Sequence, residues 1–490
     1  MDLSHWIERH ARFAPDTVAI RFESEDITYA ELDRRIRRAA AVLAHRGVER
    51  GDAVAWLGLN HPAVLVLLFA CARLGAMLAP LNWRLAPPEH ARVLADCPPR
   101  VLFVEPAFAA HAKAIEGAIE ATPVEALERD PDRAPAAAGD EDSPLLLCFT
   151  SGSTGVAKGV VLTQRALFWN AVNSCHMHDL TSADRVLTTL PMFHVGGMNI
   201  QTTPALHAGA TVTLHARFDP AATLDAIERE RITLTVLVPA QLTALMEQPR
   251  WSHADLSSLR VITTGSTIVT EAFVRKASER GVPVIQVYGS TETCPIAAYV
   301  RAADALRKAG SAGAPALHCE LKVVGEDGAE LPRGRDGEIL VRGPNVAAGY
   351  WNAPAETAQT FDHGWYRSGD LGHFDDEGYL YVVARKKDVI ISGGENIYPA
   401  EVETVLLDCP AVEDVCVVGR PEPRWGEEVV AAVVLKPGCR MTEAEALALF
   451  DGRIARYKHP REVRFLERLP RSALGKVQKQ AVRAAVAEGR

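Results

Sequence analysis

Short apolar runs that end in loops of unusual composition recur through the middle of the chain. Residues 145–149 give way to Thr150-Ser151-Gly152-Ser153-Thr154-Gly155, and residues 186–190 to Pro191-Met192-Phe193-His194. Residues 234–238 lead into Pro239-Ala240-Gln241, residues 261–263 into Thr264-Gly265-Ser266-Thr267, and residues 284–287 into Tyr288-Gly289-Ser290-Thr291-Glu292-Thr293. Helical patterns lie between most of these runs. Strands alternating with helices predict mostly parallel sheets, and ligands of such sheets bind beyond the carboxyl ends of the strands. The odd loops are therefore expected on one side of the molecule.

The flanking pattern is different in kind. Residues 6–46 read as helix, strand pair, helix, with Thr28 and Glu31 spaced as an N-cap and capping box. A strand is expected over 54–59 and another over 101–104. The apolar stretch 63–72 stops at Arg73, too short to span a bilayer, and reads as a buried helix. Residues 105–143, rich in alanine, proline and acids, read as a surface excursion. After about Gly310 the pattern turns antiparallel: 337–343 alternates as a strand with one buried face, and 375–378 is a turn between strands. The last hundred residues predict a small α+β unit, with helices near 400–407 and 443–453 and strands near 415–418 and 429–435. The expected fold is α/β: a large domain over 1–384 of mixed, mostly parallel sheets, a hinge at 385–388, and a small mobile α+β domain over 389–490.

Composition narrows the class. A chain of 490 residues exceeds one hydrophobic core, and 48% apolar with 23% charged residues is ordinary for a globular protein. A net charge of -9 lacks the basic footprint of nucleic-acid binding. The nine cysteines are odd in number and form no C-x-x-C pair, which suits a reducing cytosol better than a disulfide scaffold or zinc site. Residues 1–10 carry Asp2, Glu8 and Arg9 and no apolar core, so a cytoplasmic location is expected.

The loop after residue 149 carries the clearest chemistry. Glycines let successive N–H groups approach one anion, Ser151, Ser153 and Thr154 add hydroxyl donors, and Lys158 adds a positive charge. A phosphate-bearing ligand fits this set. A Gly/Ser linker rarely follows directly on a buried strand. The P-loop pattern fails because Gly159, not Ser or Thr, follows Lys158.

Seven motifs then stand in order: 150–158, 191–194, 288–292, Tyr366-Arg367-Ser368-Gly369-Asp370, 385–388, Gly393-Gly394-Glu395-Asn396-Ile397, and 470–476 ending in Gly475-Lys476. Across nearly the whole chain this order resembles the adenylate-forming superfamily of acyl-CoA synthetases, nonribosomal-peptide adenylation domains and luciferases. The resemblance implies that a carboxylate attacks the α-phosphate of ATP, giving acyl-AMP and pyrophosphate, and that a thiol then displaces AMP. It assigns Thr150, Ser151, Gly152, Ser153, Thr154, Gly155 and Lys158 to the β- and γ-phosphates. Thr291 receives a phosphate contact and Glu292 the Mg2+. Gly265, Ser266, Thr267, Tyr288, Gly289 and Ser290 flank the nucleotide. Asp370 accepts the ribose hydroxyls, which suits an acceptor-only carboxylate, and Arg385 contacts ribose and phosphate.

The same resemblance makes Lys476 the cation that holds carboxylate and α-phosphate together, Asp388 the hinge, and Gly393 and Gly394 the lining of the CoA channel. His194 is placed at the acyl entrance beside the reacting groups. Val195, Gly197, Met198, Gly289, Cys294, Pro295 and Ile296 line the acyl pocket, with Gly265, Ser266 and Thr267 at its edge. Each residue also has a plain structural use: Thr291 and Glu292 can cap a helix, Asp370 a turn, and Lys476 can be a solvated charge. Two departures are visible. Ala384 precedes Arg385 where many relatives have glycine or aspartate, and residues 265–269 differ from the usual Gly-Ala-Pro-Leu.

None of the predicted pocket residues is Arg or Lys, so a second carboxylate on the substrate lacks a partner. The expected function is a ligase joining a medium-chain fatty or aromatic monocarboxylic acid to CoA. The alternatives are an adenylation enzyme loading a carrier-protein thiol and an o-succinylbenzoate-type CoA ligase. ATP, Mg2+ and CoA are the expected cofactors; no nucleic acid or membrane span is expected, and a homodimer is compatible with the sequence.

Overall fold

In the computed structural model, the described residues are 2–115, 117, 120–128, 137–151, 157–392, 395–422, 426–451, 453–454, 456–472 and 475–487. The chain divides into two compact units. One comprises Met1–Lys322, Leu340–Ser368 and Glu377–Leu380; the other comprises Val323–Ile339, Gly369–Asp376 and Tyr381–Arg490. The strands Glu320–Val324, Gly337–Arg342, Trp365–Phe374 and Leu380–Arg385 each contain a point where the chain passes from one unit to the other.

The larger unit holds a nine-stranded sheet and a seven-stranded sheet. In the first, Val18–Phe22, Thr211–Leu214, Arg185–Thr188, Leu234–Val236, Val261–Gly265 and Val284–Tyr288 run parallel side by side. Four of the predicted odd loops leave this sheet at the same edge, as parallel strands require. The fifth departs from that scheme. Pro144–Ser151 lies in the seven-stranded sheet and returns at once as the antiparallel strand Ala157–Thr163, with Thr150 opposite Lys158. The Ser/Gly/Thr loop is thus the tip of a hairpin, and Gly152, Ser153, Thr154 and Gly155 lie outside the described residues.

Helix Pro62–Leu74 is buried on all sides except at Arg73 and threads the main core, as an all-apolar helix must. His61 caps it through Nδ1, which accepts from the N–H of Ala63 at 3.1 Å. Thr28 caps Tyr29–His45 through Oγ1, which accepts from the N–H of Glu31. The Glu31 carboxylate is drawn instead to Arg34 and Arg35 on its own helix face.

Two expectations are corrected here. Part of 105–143 is structural: Ala121–Pro123 adds a parallel edge strand beside Val101–Val104, and Ala126 and Leu127 are buried. Gly337–Arg342 does not alternate, because Glu338, Ile339, Leu340 and Val341 are all buried.

The smaller unit is organised by the antiparallel pair Val412–Glu422 and Gly426–Leu435, with Glu462–Phe465 parallel to the latter. Alternate side chains go to opposite faces. Val415, Val417, Val429, Ala431 and Val433 meet Val402, Leu406 and Phe450, from the stretches around helices Pro399–Leu407 and Glu443–Ala448. Cys416, Val418, Val430, Ala432 and Val434 meet Leu469 and the helix Lys479–Ala487 through Val482 and Val486. The predicted helix 443–453 ends early, at Ala448. Among the described residues, no helix is long and apolar enough to cross a membrane.

Candidate active site

The larger unit gathers three of the motifs by long-range hydrogen bonds. Asn60, just past the end of strand Ala53–Leu57, donates through Nδ2 to the carbonyl of Leu190 at 2.9 Å and accepts from the N–H of Met192 at 2.8 Å. It thereby pins the loop that presents His194. Asn170 and Asn345 do the same for the turn after Val284–Tyr288: Asn170 accepts from the N–H of Ile296, and Asn345 donates to the carbonyls of Thr293 and Ile296. These buried amides convert flexible loop backbone into fixed geometry.

Within that turn Gly289 has φ +156, and a Cβ there would sit 1.7 Å from the carbonyl oxygen of Pro295. No side chain fits. Thr291 is buried and Glu292 half-buried. Oε1 of Glu292 accepts from the hydroxyl of Tyr350 at 3.0 Å, and its backbone carbonyl accepts from Ala347 at 2.8 Å. Ser290 donates to the hydroxyl of Tyr366 at 3.2 Å. Burial, reinforced by the Glu292 charge, pushes the phenols of Tyr350 and Tyr366 well up, so both remain neutral donors at physiological pH. Lys158 pairs with Glu356 and lies 5.9 Å over the Tyr350 ring. Tyr288 is half-buried, while Ser266 (φ +72) and Thr267 are exposed after strand Val261–Gly265.

Beside His194 lies a cavity with about 180 Å³ of atom-free space. Leu190, Gly196, Gly197, Thr189, Gln201 and Val236 are among its walls. Leu190, Ile200 and Val236 form a separate apolar cluster with Val238 and Val287. Gly197 is needed for backbone approach, since a Cβ would lie 2.3 Å from the carbonyl of Pro191. At Gly196 a Cβ would meet only the His194 ring and the end of Ile200. His194 Nδ1 accepts from the N–H of Gly196 at 3.1 Å, so the neutral ring carries its proton on Nε2. Of the other predicted pocket residues, Val195, Met198, Cys294 and Ile296 sit in the main core, and Pro295 is buried. Asn60, Tyr350, Gly196, Ile200 and Gln201 had no local signal in the sequence.

The smaller unit holds the remaining motifs. Arg385 donates through Nε to Oδ1 of the buried Asp370 at 2.8 Å. Lys386 pairs with Glu338 at 3.3 Å. Asp388 ends a 3-10 turn and faces Lys479 at 3.4 Å and Arg483 at 3.9 Å on the last helix. The Lys476 stretch is a tight loop in which Arg471 bonds the Gly475 carbonyl at 2.6 Å and pairs with Asp414. Gly475 has φ +78, and Lys476 is exposed. Gly393 and Gly394 lie outside the described residues.

Comparison with known proteins agrees with this arrangement. Residues 7–351 match the model of the AMP-binding enzyme family, and residues 401–476 match the AMP-binding enzyme C-terminal domain. The chain is 57% identical to an indoleacetate–CoA ligase of Aromatoleum aromaticum, covering 99% of this chain and 98% of that protein. It is 44% identical to a feruloyl-CoA synthase of Amycolatopsis, covering 98% of each. The solved o-succinylbenzoate CoA synthetase from Bacillus subtilis, in complex with its acyl-adenylate intermediate, superposes with a TM-score of 0.91 at 34% identity over 98% of both chains.

Proposed function

The chain belongs to the AMP-binding enzyme family of adenylate-forming acyl-CoA synthetases, and from that membership we propose that this AMP-forming acid–thiol ligase activates an aromatic monocarboxylic acid and transfers it to CoA. The observation that carries the choice of acid is the cavity beside His194. Its apolar walls at Leu190 and Val236 include no cation, and the absence of side chains at Gly196 and Gly197 leaves a flat space for a ring. The 57% identity to an indoleacetate–CoA ligase supports an aryl over an aliphatic acid.

In the first step a carboxylate oxygen forms a bond to the α-phosphorus of ATP and the bond to the β-phosphate oxygen breaks, releasing pyrophosphate. In the second, the CoA sulfur takes the acyl carbon, AMP leaves and the thiol proton goes to solvent. In this reading Thr150, Ser151 and Lys158, with the glycine and hydroxyl residues 152–155, receive the β- and γ-phosphates. Lys158 then exchanges Glu356 for phosphate oxygens. Thr291 donates to phosphate, and Tyr288, Gly289 and the 265–267 backbone flank the base. Asp370 accepts the ribose hydroxyls with Arg385 beside it. Lys476 supplies the cation for carboxylate and α-phosphate during adenylation. Asp388 is the hinge, and Gly393 and Gly394 serve the CoA step.

Glu292 fits a magnesium ion. Tyr350 uses one of its lone pairs and leaves others for a cation, and no group of three or more metal-ligating side chains exists among the described residues. Mg2+ held this way takes one carboxylate plus phosphate oxygens and water, and it would neutralise phosphate charge. A pyrophosphate-release screen over aryl, medium-chain aliphatic and dicarboxylic acids, with and without CoA, tests the reading. Activity confined to aliphatic acids would overturn it.

A further inference from the structure

One wall of the cavity is polar, and its polarity has a fixed direction. Gln201 is 2% exposed, and its Oε1 is buried with no hydrogen-bond partner among the described residues. Its amide orientation follows from a chain of bonds behind it. His178 Nδ1 lies 2.9 Å from the carbonyl oxygen of Ser174, which only accepts, so Nδ1 carries a proton. Ser174 Oγ, 3.1 Å from the same nitrogen, donates its own proton to the Ile200 carbonyl at 2.6 Å. Burial pushes His178 down to about 4, so its ring is neutral and Nε2 is a lone pair. The Thr263 hydroxyl, 2.8 Å away, must therefore donate to Nε2. With its proton committed, Thr263 Oγ1 can only accept from Gln201, whose Nε2 lies at 3.2 Å. A flipped amide would set two lone pairs against each other. Oε1 is thus the atom left as an acceptor without a donor.

An acceptor buried without a donor is unfavourable, and a ligand that supplies the donor removes the penalty. We propose that Gln201 is a specificity-determining residue whose Oε1 receives a ring N–H or O–H of the acid, so that the substrate class is aromatic monocarboxylic acids bearing a hydrogen-bond donor on the ring. This rests on the aryl-acid reading above and deepens it. Thr263 and His178 act as positioning residues, since they touch Gln201 and not the ring.

The test compares indole-3-acetate with benzothiophene-3-acetate, which keeps the bicyclic shape and carboxylate but replaces N–H by sulfur. Wild-type kcat/KM for pyrophosphate release is expected to favour the indole acid by on the order of a hundredfold, as when a site built for a donor meets an analogue without one. In Gln201→Leu the ratio should fall to near one. In Thr263→Val, which removes the oxygen that fixes the amide, it should fall part of the way. A wild-type ratio near one overturns the inference, because Oε1 then holds only water. If the wild type adenylates neither acid but does adenylate aliphatic acids, the aryl-acid reading itself falls and takes the inference with it. The wild-type ratio decides even where a variant fails to fold.

Discussion

The hydroxyl of Tyr350 donates to Oε1 of Glu292 across 3.0 Å, joining residues 58 positions apart in the chain. The bond holds one carboxylate oxygen in a fixed direction beside the turn that Asn345 ties down. Tyr350→Phe deletes it while keeping the ring beneath Lys158. A hydrogen bond to a charged group is worth about 1.5–3 kcal/mol, so adenylation at limiting Mg2+ should fall roughly tenfold or more. The half-saturating Mg2+ concentration should rise while KM for the acid stays put. An unchanged Mg2+ dependence would remove Glu292 from the metal site.

Lys476→Ala separates the two half-reactions. Loss of a preorganised charge partner should slow acyl-AMP formation by on the order of a hundredfold. Thioester formation from supplied acyl-AMP should persist, because the cation serves only the first step. Single-turnover rates for each half-reaction read this directly; equal loss in both contradicts the assignment. Arg471→Ala, which frees the loop from Asp414 and the Gly475 carbonyl, should weaken adenylation in the same sense but less.

The chain announces its chemistry where the chemistry needs contiguous residues. Glycine, hydroxyl and lysine together at 150–158, or Thr291 beside Glu292, are short patterns because one ligand group is met by one turn of backbone. What holds those turns is not written locally. Asn60 pins a carbonyl 130 residues away, and its role exists only once two sheets are packed. The same holds for Gln201: a glutamine in an apolar stretch gives no sign that Thr263 and His178 will orient it. The hairpin form of the phosphate loop was hidden for another reason. A buried apolar run reads alike whether its next neighbour is parallel or antiparallel.

The buried His178 makes stability depend on pH. Its folded-state value is held near 4 by burial, against 6.5 for the free ring, with Arg260 lowering it and Asp184 and Asp179 raising it. Between these values the unfolded chain binds more protons than the native one, so stability rises with pH. The contribution is fully present above about 6.5 and is lost as pH falls toward 4. It amounts to roughly 3 kcal/mol across the window, at 1.36 kcal/mol per unit. Melting temperatures from pH 4.5 to 7.5 should climb in the wild type. His178→Gln should flatten that slope, and a slope identical to wild type would mean the ring is not the titrating group.

Charge discrimination at the acyl site should be steep where shape discrimination is shallow. The cavity walls at Leu190, Gly196, Gly197 and Val236 carry no cation, and the nearest polar groups, Thr189 and Gln201, are neutral. An aryl acid with a second carboxylate on the ring would bury an unpaired charge there, at an effective penalty of several kcal/mol. Removing or adding one methylene changes binding by only about 1–3 kcal/mol. Carboxylation of the ring of a good substrate should therefore abolish turnover, while neighbouring neutral acids differ by one or two orders of magnitude. The measurement is kcat/KM for an arylacetate beside its ring-carboxylated analogue. A diacid turned over equally well would require a cationic side chain to reach the pocket, and the substrate would then belong with dicarboxylates rather than with neutral aryl acids.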